Sequence, residues 1–216
     1  MLRTLSAAFL AAVLAAPALA APEVNKVIDN ERVTVWDVRL GPGENAPPTP
    51  REFDTVTVFL EGGTIRTRHA DGTVTAATRS FGDAVFTPKG SGAVDMSDHA
   101  HEVVIALKGG IAKPNLGPDG IPNAFPRAGS EKIFENERVV VSRFSWTPGV
   151  PVPMHHHDKD TVMVFRYDGP IRSTGLDGKS EILDFRKDQI RFSKAGRTHG
   201  ELLAGKRQSA VMTELK

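Results

Sequence analysis

The sequence predicts an all-β protein made of two similar antiparallel sandwiches or barrels, and three observations support this. Apolar residues alternate with a period of two over short runs, as in residues 33–38 and 56–60, which is typical of half-buried strands. Turn signals such as Asp71-Gly72 and Asp177-Gly178 separate these runs. The whole pattern also occurs twice along the chain. Many short strands with regular turns indicate a β-sandwich or a β-barrel.

The repeat covers nearly the whole chain at a constant offset of 106 positions. The segment Asn-Glu-Arg-Val at 30–33 recurs at 136–139, and Asp-Thr-Val-x-Val-Phe at 54–59 recurs at 160–165. Self-similarity at a fixed period indicates a duplicated structural unit. We therefore predict one barrel at 21–108 and a second at 131–216. Each is too small to be very stable alone, so we expect the two to pack against each other within the chain.

The segment 109–130 joins the two predicted barrels. It is rich in glycine and proline, which disfavour a regular helix or a central strand. We interpret it as a linker.

The first 20 residues have the features of a secretory signal peptide. Arg3 provides a short basic start, residues 7–16 are apolar, and Ala18-Leu19-Ala20 forms a small-residue cleavage site. We expect cleavage after Ala20 and a periplasmic or secreted mature protein. The apolar stretch is shorter than the roughly 20 residues of a transmembrane helix, so we predict no membrane span.

Composition narrows the function classes. The chain has 27 basic and 26 acidic residues, and this balance without a basic block argues against nucleic acid as a partner. It has no cysteine, which excludes a disulfide, a thiolate ligand and a cysteine nucleophile. No serine nucleophile elbow, phosphate loop or dinucleotide fingerprint occurs. Imidazole and carboxylate remain as candidate metal ligands, and the expected partner is a small molecule.

Four of the seven histidines have a spacing that favours a metal site: His155, His156, His157 and His199. Side chains alternate along a strand, so His155 and His157 share one face and His156 points away. Neutral imidazole is a common ligand of transition metals, and two ligands from one strand need a third from a distant segment. We predict that His155, His157 and His199 bind a divalent iron, manganese, nickel, copper or zinc ion.

These residues carry a family resemblance. Each copy resembles a cupin, the double-stranded β-helix or jelly-roll barrel, and the pair resembles a bicupin. Gly149, five residues and His155-x-His157 match the start of the first family motif, G-x5-H-x-H-x3,4-E-x6-G. Gly196-x-x-His199 matches the second motif. The chain is also similar to small uncharacterised cupins, some linked to β-alanine degradation.

The chain departs from the family pattern at the fourth ligand, because Thr161 stands at the position of the family glutamate. The resemblance then implies a three-histidine centre with water in the open positions. Asp160 has the opposite strand parity and is an alternative ligand only if a β-bulge re-aims it. Its counterpart Asp54 persists in the first copy, which favours a structural role for both.

Three further residues of the second copy, Thr161, Met163 and Phe165, share the inward parity of His157. We expect them to line a pocket beside the metal or to fill the barrel core.

The first copy lacks the metal ligands. Thr49, Arg51 and Ala93 occupy the positions that match His155, His157 and His199, so we predict a metal-free first barrel. The pair His99-x-His101 aligns with a hairpin end, and we interpret it as surface, with an accessory metal contact as the alternative.

Together these features predict an exported metal-binding bicupin that acts on a small organic substrate. Three-histidine cupins that resemble this site include dioxygenases, and isomerase or lyase chemistry by Lewis-acid polarisation is the next expectation. A non-catalytic module that binds a metal or small ligand is the alternative, because one fold hosts many functions. No catalytic residue is identified from the sequence.

Overall fold

The computed structural model describes residues 22–41, 44–45, 52–91, 94–97, 100–109 and 115–216. Within these ranges the chain forms seventeen β-strands and no helix, which confirms the all-β prediction. No helix among these residues is long and apolar enough to cross a membrane. Several sequence predictions concern residues outside the described ranges: the signal peptide at 1–20 and the positions Thr49, Arg51, Ala93 and His99.

The strands of the first repeat are β1 (Glu23–Asp29), β2 (Val33–Leu40), β3 (Asp54–Phe59), β4 (Gly63–Arg68), β5 (Val74–Arg79), β6 (Ala84–Thr87), β7 (Val94–Ser97) and β8 (Ala100–Leu107). They form a five-stranded and a three-stranded antiparallel sheet, in the orders β1-β2-β8-β3-β6 and β5-β4-β7.

The strands of the second repeat are β9 (Ser130–Glu135), β10 (Val139–Trp146), β11 (Val152–His156), β12 (Asp160–Phe165), β13 (Gly169–Gly175), β14 (Ser180–Phe185), β15 (Ile190–Ser193), β16 (Thr198–Leu203) and β17 (Gln208–Leu215). They form a five-stranded and a four-stranded sheet, in the orders β9-β10-β17-β12-β15 and β11-β16-β13-β14. The two five-stranded sheets have the same strand order, as a duplicated unit requires.

The two five-stranded sheets share one apolar core. Val56 and Val58 of β3 and their repeat counterparts Val162 and Val164 of β12 are all buried in it. Side chains alternate between the two faces of a strand, so the residues between these valines point the other way, into the barrel of their own repeat. Both faces of β3 and β12 are therefore buried, because one face fills a barrel and the other seals the contact between the barrels.

Each barrel also has its own interior. In the first, Phe59 packs with Leu40 and Ile65. In the second, the interior is more aromatic, and Phe165 packs with Trp146 and other residues of β10, β13 and β17. Phe59 and Phe165 are repeat counterparts, so the duplication also preserved the inward positions.

Hairpin turns occur where the sequence predicts them. Gly72 connects β4 to β5 with a φ of 84°, and Gly178 connects β13 to β14 with a φ of 76°. Glycine adopts this left-handed conformation without the steric cost that a side chain would add.

The surface assignment of His101 is wrong. Its side chain is 2% exposed, and Nε2 lies 2.7 Å from Asp37 Oδ1 while Nδ1 lies 3.8 Å from Asp188 Oδ2 of the second repeat. The parity of β8 places His101 on the same face as Val103, which lies in the shared core. The sequence shows the hairpin end but not the second barrel that covers it.

Candidate metal centre

Two adjacent strands bring the predicted histidines together. His155 of β11 lies opposite His199 of β16 in the antiparallel register. His157 follows β11 directly, where its backbone N–H donates to the carbonyl of Arg197 at 2.8 Å and its carbonyl accepts from Gly196 N–H at 2.7 Å. The ladder between the two motifs thus fixes the backbone on both sides of the cluster.

The three imidazoles converge inside the second barrel. One potential ligand atom from each of His155, His157 and His199 lies within 4.8 Å of the others. His157 Nε2 and His199 Nε2 are 3.1 Å apart, and all three side chains are buried. Ligand atoms about 2.0–2.1 Å from one ion are separated by about 3 Å or slightly more, so the geometry is close to that of a tri-imidazole site.

Two of the rings are oriented by contacts at Nδ1. His155 Nδ1 lies 2.8 Å from the Pro153 carbonyl, and His199 Nδ1 lies 2.8 Å from Ser173 Oγ. Arg197 Nη2 donates to the same hydroxyl at 3.0 Å. In the tautomer with a proton on Nδ1, Nε2 of each ring carries the lone pair, which is a common arrangement for metal-ligating histidines.

Burial keeps the imidazoles neutral at neutral pH. Desolvation, with smaller contributions from nearby cations, lowers the pKa of His155 to about 4, of His157 to about 3 and of His199 to about 2. Neutral imidazole is the form that ligates metal, so the cluster is consistent with a divalent metal and its members need not lose protons first.

His156 points away from the cluster, as strand alternation predicts. Its Nδ1 lies 2.7 Å from Thr198 Oγ1 and its Nε2 lies 3.1 Å from the Asn115 carbonyl. Its backbone carbonyl accepts from Ala124 N–H at 2.7 Å, and a Cβ on Gly117 would lie 2.6 Å from its ring. The segment 115–124 therefore packs on the outside of the barrel against this histidine.

Asp160, the alternative ligand, lies outside the cluster. Its Oδ1 accepts a hydrogen bond from Ala195 N–H at 2.9 Å, and its Oδ2 lies 3.2 Å from Arg32 Nε. Both carboxylate oxygens are thus directed to the strand end and to the first repeat.

The three predicted pocket residues lie in the barrel interior. Thr161 is buried, and its hydroxyl donates to the Lys159 carbonyl at 3.2 Å. Phe165 stacks on Phe185, and half-buried Met163 packs on the same cluster. The two cavities described below are lined by other residues, and Phe165 and Met163 belong to the apolar cluster of the second barrel.

The sequence analysis did not predict that a carboxylate lies beside the imidazoles. Glu201 of β16 places Oε1 3.8 Å from His199 Nε2, and Trp146 Nε1–H donates to its Oε2 at 2.9 Å. Burial raises the pKa of the Glu201 carboxyl. The signal in the sequence was the spacing His199-x-Glu201, since alternate residues of a strand share a face.

The sequence analysis also did not predict that an arginine from the segment between the barrels lies beside the imidazoles. Arg127 Nη1 lies 3.0 Å from His155 Nε2, and Nη2 lies 3.6 Å from Glu201 Oε2. The guanidinium carbon lies 3.7 Å from the centroid of the Phe144 ring. No periodicity places a residue of an irregular segment, so the sequence offered no signal for this contact.

Two cavities reach the cluster from different sides. The larger, about 520 Å³, touches His155 and lies between the segment 122–129 and the start of β11; its walls are mainly proline, valine and other apolar side chains together with Arg127. The smaller, about 300 Å³, touches His199 and has a polar lining that includes Arg197 and Glu181. Each cavity thus borders one of the three histidines.

The fold is thus all-β, with three buried imidazoles clustered in the second repeat. Solved cupin structures share this fold. A cupin 2 conserved barrel domain protein from Leptotrichia buccalis has a TM-score of 0.58 at 14% identity, over 94% of this chain and 93% of its own. No protein-family model and no curated relative matches the chain.

Two other solved structures are similar at comparably low identity. Oxalate decarboxylase from Bacillus subtilis, whose Mn(II) centres have been characterised, has a TM-score of 0.61 at 11% identity, over 85% of this chain and 69% of its own. AerE from Microcystis aeruginosa has a TM-score of 0.64 at 8% identity, over 91% of this chain and 97% of its own. These similarities establish the fold.

Proposed function

We propose that this protein is an exported bicupin in which His155, His157 and His199 hold one divalent transition metal, and that it is a metal-dependent enzyme acting on a small organic substrate. The observation that carries the proposal is the convergence of three buried imidazoles within 4.8 Å. Isolated buried polar groups are costly, and three neutral imidazoles with facing nitrogens gain most by sharing a cation.

The donor set suits iron, manganese, nickel, copper or zinc, because imidazole is a borderline ligand that all of them accept. A bound divalent metal would act as a Lewis acid that polarises a substrate oxygen and, with a redox-active ion, would support dioxygenase-like chemistry. The manganese of Bacillus subtilis oxalate decarboxylase shows that this fold holds such ions.

The surroundings favour a substrate with an anionic group and a compact apolar part. The apolar walls of the cavity of about 520 Å³ exclude water around the apolar part. Arg127, which lines this cavity and approaches His155 Nε2 to 3.0 Å, supplies planar donors that match a carboxylate. The guanidinium would orient the anion at the entrance to the imidazoles.

The first experiment is elemental analysis of protein purified without a tag. We expect about one metal per chain, and we expect His157→Ala to remove it because two imidazoles are a poor site. Two metals per chain, or none in the wild type, would overturn the one-site proposal.

The second experiment separates an enzyme from a binder. Oxygen uptake by the iron-loaded protein is screened against thiols, β-diketones and small carboxylates, with His157→Ala as the control. Turnover that depends on His157 supports an oxygenase. Binding of carboxylates without turnover under any of the five metals favours the non-catalytic module.

One observation favours the non-catalytic binding module. The guanidinium of Arg127 lies against His155 Nε2 and stacks on Phe144, so one side of the cluster is capped by a fixed cation. Such a cap suits retention of an anion. Arg127→Gln should weaken binding of a small carboxylate to the metal-loaded protein at least tenfold and leave metal stoichiometry at one.

Export is proposed from the signal-like features of residues 1–20 alone. N-terminal sequencing of the protein from a periplasmic fraction should begin at Ala21. A mature protein that begins at Met1 would contradict this.

A further inference from the structure

The carboxylate of Glu201 is held in a defined orientation beside the imidazoles. Glu201 has the same strand parity as His199 and Leu203, which is buried in the barrel interior. Its side chain is 12% exposed, and its Oε2 accepts the hydrogen bond from Trp146 Nε1. The indole is itself fixed, because Trp146 stacks on Phe165 and meets Phe144 edge-on. One oxygen is therefore anchored, which leaves the other to face the cluster.

The other oxygen of Glu201 lies near one of the imidazoles. Glu201 Oε1 is 3.8 Å from His199 Nε2, and His199 Nε2 is 3.1 Å from His157 Nε2. Two ligands of one ion with bonds of about 2.1 Å are about 3.0–3.4 Å apart. The separation of Glu201 Oε1 from His199 Nε2 thus exceeds a ligand–ligand distance by less than about 1 Å.

Charge compensation also requires a nearby anion. Three neutral imidazoles leave the double charge of a divalent cation in a buried site. The guanidinium of Arg127, 3.0 Å from His155 Nε2, adds a third positive charge, and its Nη2 lies 3.6 Å from Glu201 Oε2. A buried cation without a counter-charge is strongly unfavourable. Asp160 is turned to Arg32 and Ala195, whereas Glu201 faces the cluster.

We propose that Glu201 is the fourth protein ligand of the metal and that Trp146 positions its carboxylate. The proposal rests on the metal site proposed above. It assigns to β16 the carboxylate that Thr161 of β12 does not supply, so that one strand carries two ligands at positions 199 and 201.

The test measures metal affinity and coordination in three variants. Affinity for Co(II) and Mn(II) is measured by competition with a chelator, and coordination by the Co(II) absorption spectrum and Mn(II) electron paramagnetic resonance. We expect Glu201→Gln to weaken affinity at least tenfold and to change both spectra. Glu131→Gln is the matched control. Its carboxylate is 69% exposed and pairs with Arg143, away from the histidines, so affinity and spectra should stay unchanged.

Trp146→Phe tests the positioning role and also provides a second variant if Glu201→Gln does not fold. It keeps an aromatic ring in the barrel and removes the N–H that holds Oε2. We expect an affinity loss between those of the control and Glu201→Gln, with altered spectra. Wild-type affinity and spectra in Trp146→Phe overturn the positioning role.

The outcomes separate the two proposals. If the wild type binds one metal and Glu201→Gln binds it with equal affinity and identical spectra, the fourth-ligand assignment is wrong and the three-histidine site stands. If the wild type binds no metal, both are wrong. If Glu201 is a ligand, metal should raise the Tm of Glu201→Gln less than it raises the Tm of the wild type. This result supports the assignment when the metal-free forms have equal Tm values or the metal-free variant has the higher one.

Discussion

Arg32 Nε lies 3.2 Å from Asp160 Oδ2, and the same contact occurs a second time between the repeat counterparts, where Arg138 Nη1 donates to Asp54 Oδ2 at 2.7 Å. Each arginine comes from one repeat and each aspartate from the other. The two pairs therefore cross the contact between the barrels, and the duplication retained the same aspartate in both copies for the same structural reason.

We predict that Asp160→Asn destabilises the protein without removing the metal. The pair with Arg32 is largely buried, with side-chain exposures of 13% and 18%, so loss of the charged partner should lower the free energy of unfolding by about 1.5–3 kcal/mol. Urea unfolding measures the change, and elemental analysis should still find one metal per chain. Asp54→Asn is the matched variant in the first repeat. Loss of metal in Asp160→Asn alone would instead identify Asp160 as a ligand.

His156 and His157 should have separable roles although they are adjacent. His156→Ala removes the contacts to Thr198 Oγ1 and the Asn115 carbonyl, so it should destabilise the protein by about 2 kcal/mol and loosen the segment 115–124. Hydrogen exchange of that segment should accelerate while metal content stays at one. His157→Ala should show the reverse pattern, and equal effects of both variants on metal content would contradict these roles.

His101 should contribute to stability through the contact between the barrels. His101→Ala leaves Asp37 and Asp188 without the ring that lies between them, and we expect a loss of about 2–3 kcal/mol in urea unfolding. His69 is the control, because its half-buried ring lies next to the β4–β5 hairpin, where Nε2 is 2.9 Å from Thr75 Oγ1 of the same hairpin. His69→Ala should change the free energy of unfolding by less than about 0.5 kcal/mol. Similar losses of unfolding free energy in both variants would instead support a surface position for His101.

Glu214 should make the protein less stable as the pH rises. Burial raises its pKa from 4.5 to about 7, against a smaller opposing effect of Lys159. The folded state therefore binds the proton more tightly than the unfolded state. The cost of ionising the buried carboxyl is absent below pH 4.5, grows up to about pH 7 and is complete above it.

The comparison with Glu214→Gln isolates this effect. The shift corresponds to about 3 kcal/mol at full ionisation, so the difference in unfolding free energy between the variant and the wild type should grow by about that amount between pH 4.5 and pH 8. Urea unfolding at several pH values measures it. A difference that is constant with pH would show that Glu214 titrates normally.

Much of the fold followed from local signals. The period-two runs, the Asp-Gly turns and the repeat predict an all-β double unit because each depends only on neighbouring residues or on comparison within the chain. The histidine cluster was also accessible, since strand parity separates His156 from His155 and His157, and the antiparallel partner of His155 is the remaining candidate, His199.

The sequence by itself thus determined the strands, the duplication and which histidines share a face, because these follow from backbone geometry. Only the tertiary structure decided which charged groups reach the imidazoles. The spacing His199-x-Glu201 gives the face of Glu201, but its carboxylate lies beside the imidazoles where Trp146 of another strand holds it. Arg127 reaches them because an irregular segment folds back over the barrel. Asp160 and His101 are engaged by the other repeat. Such contacts depend on the packing of distant segments, which no local period encodes.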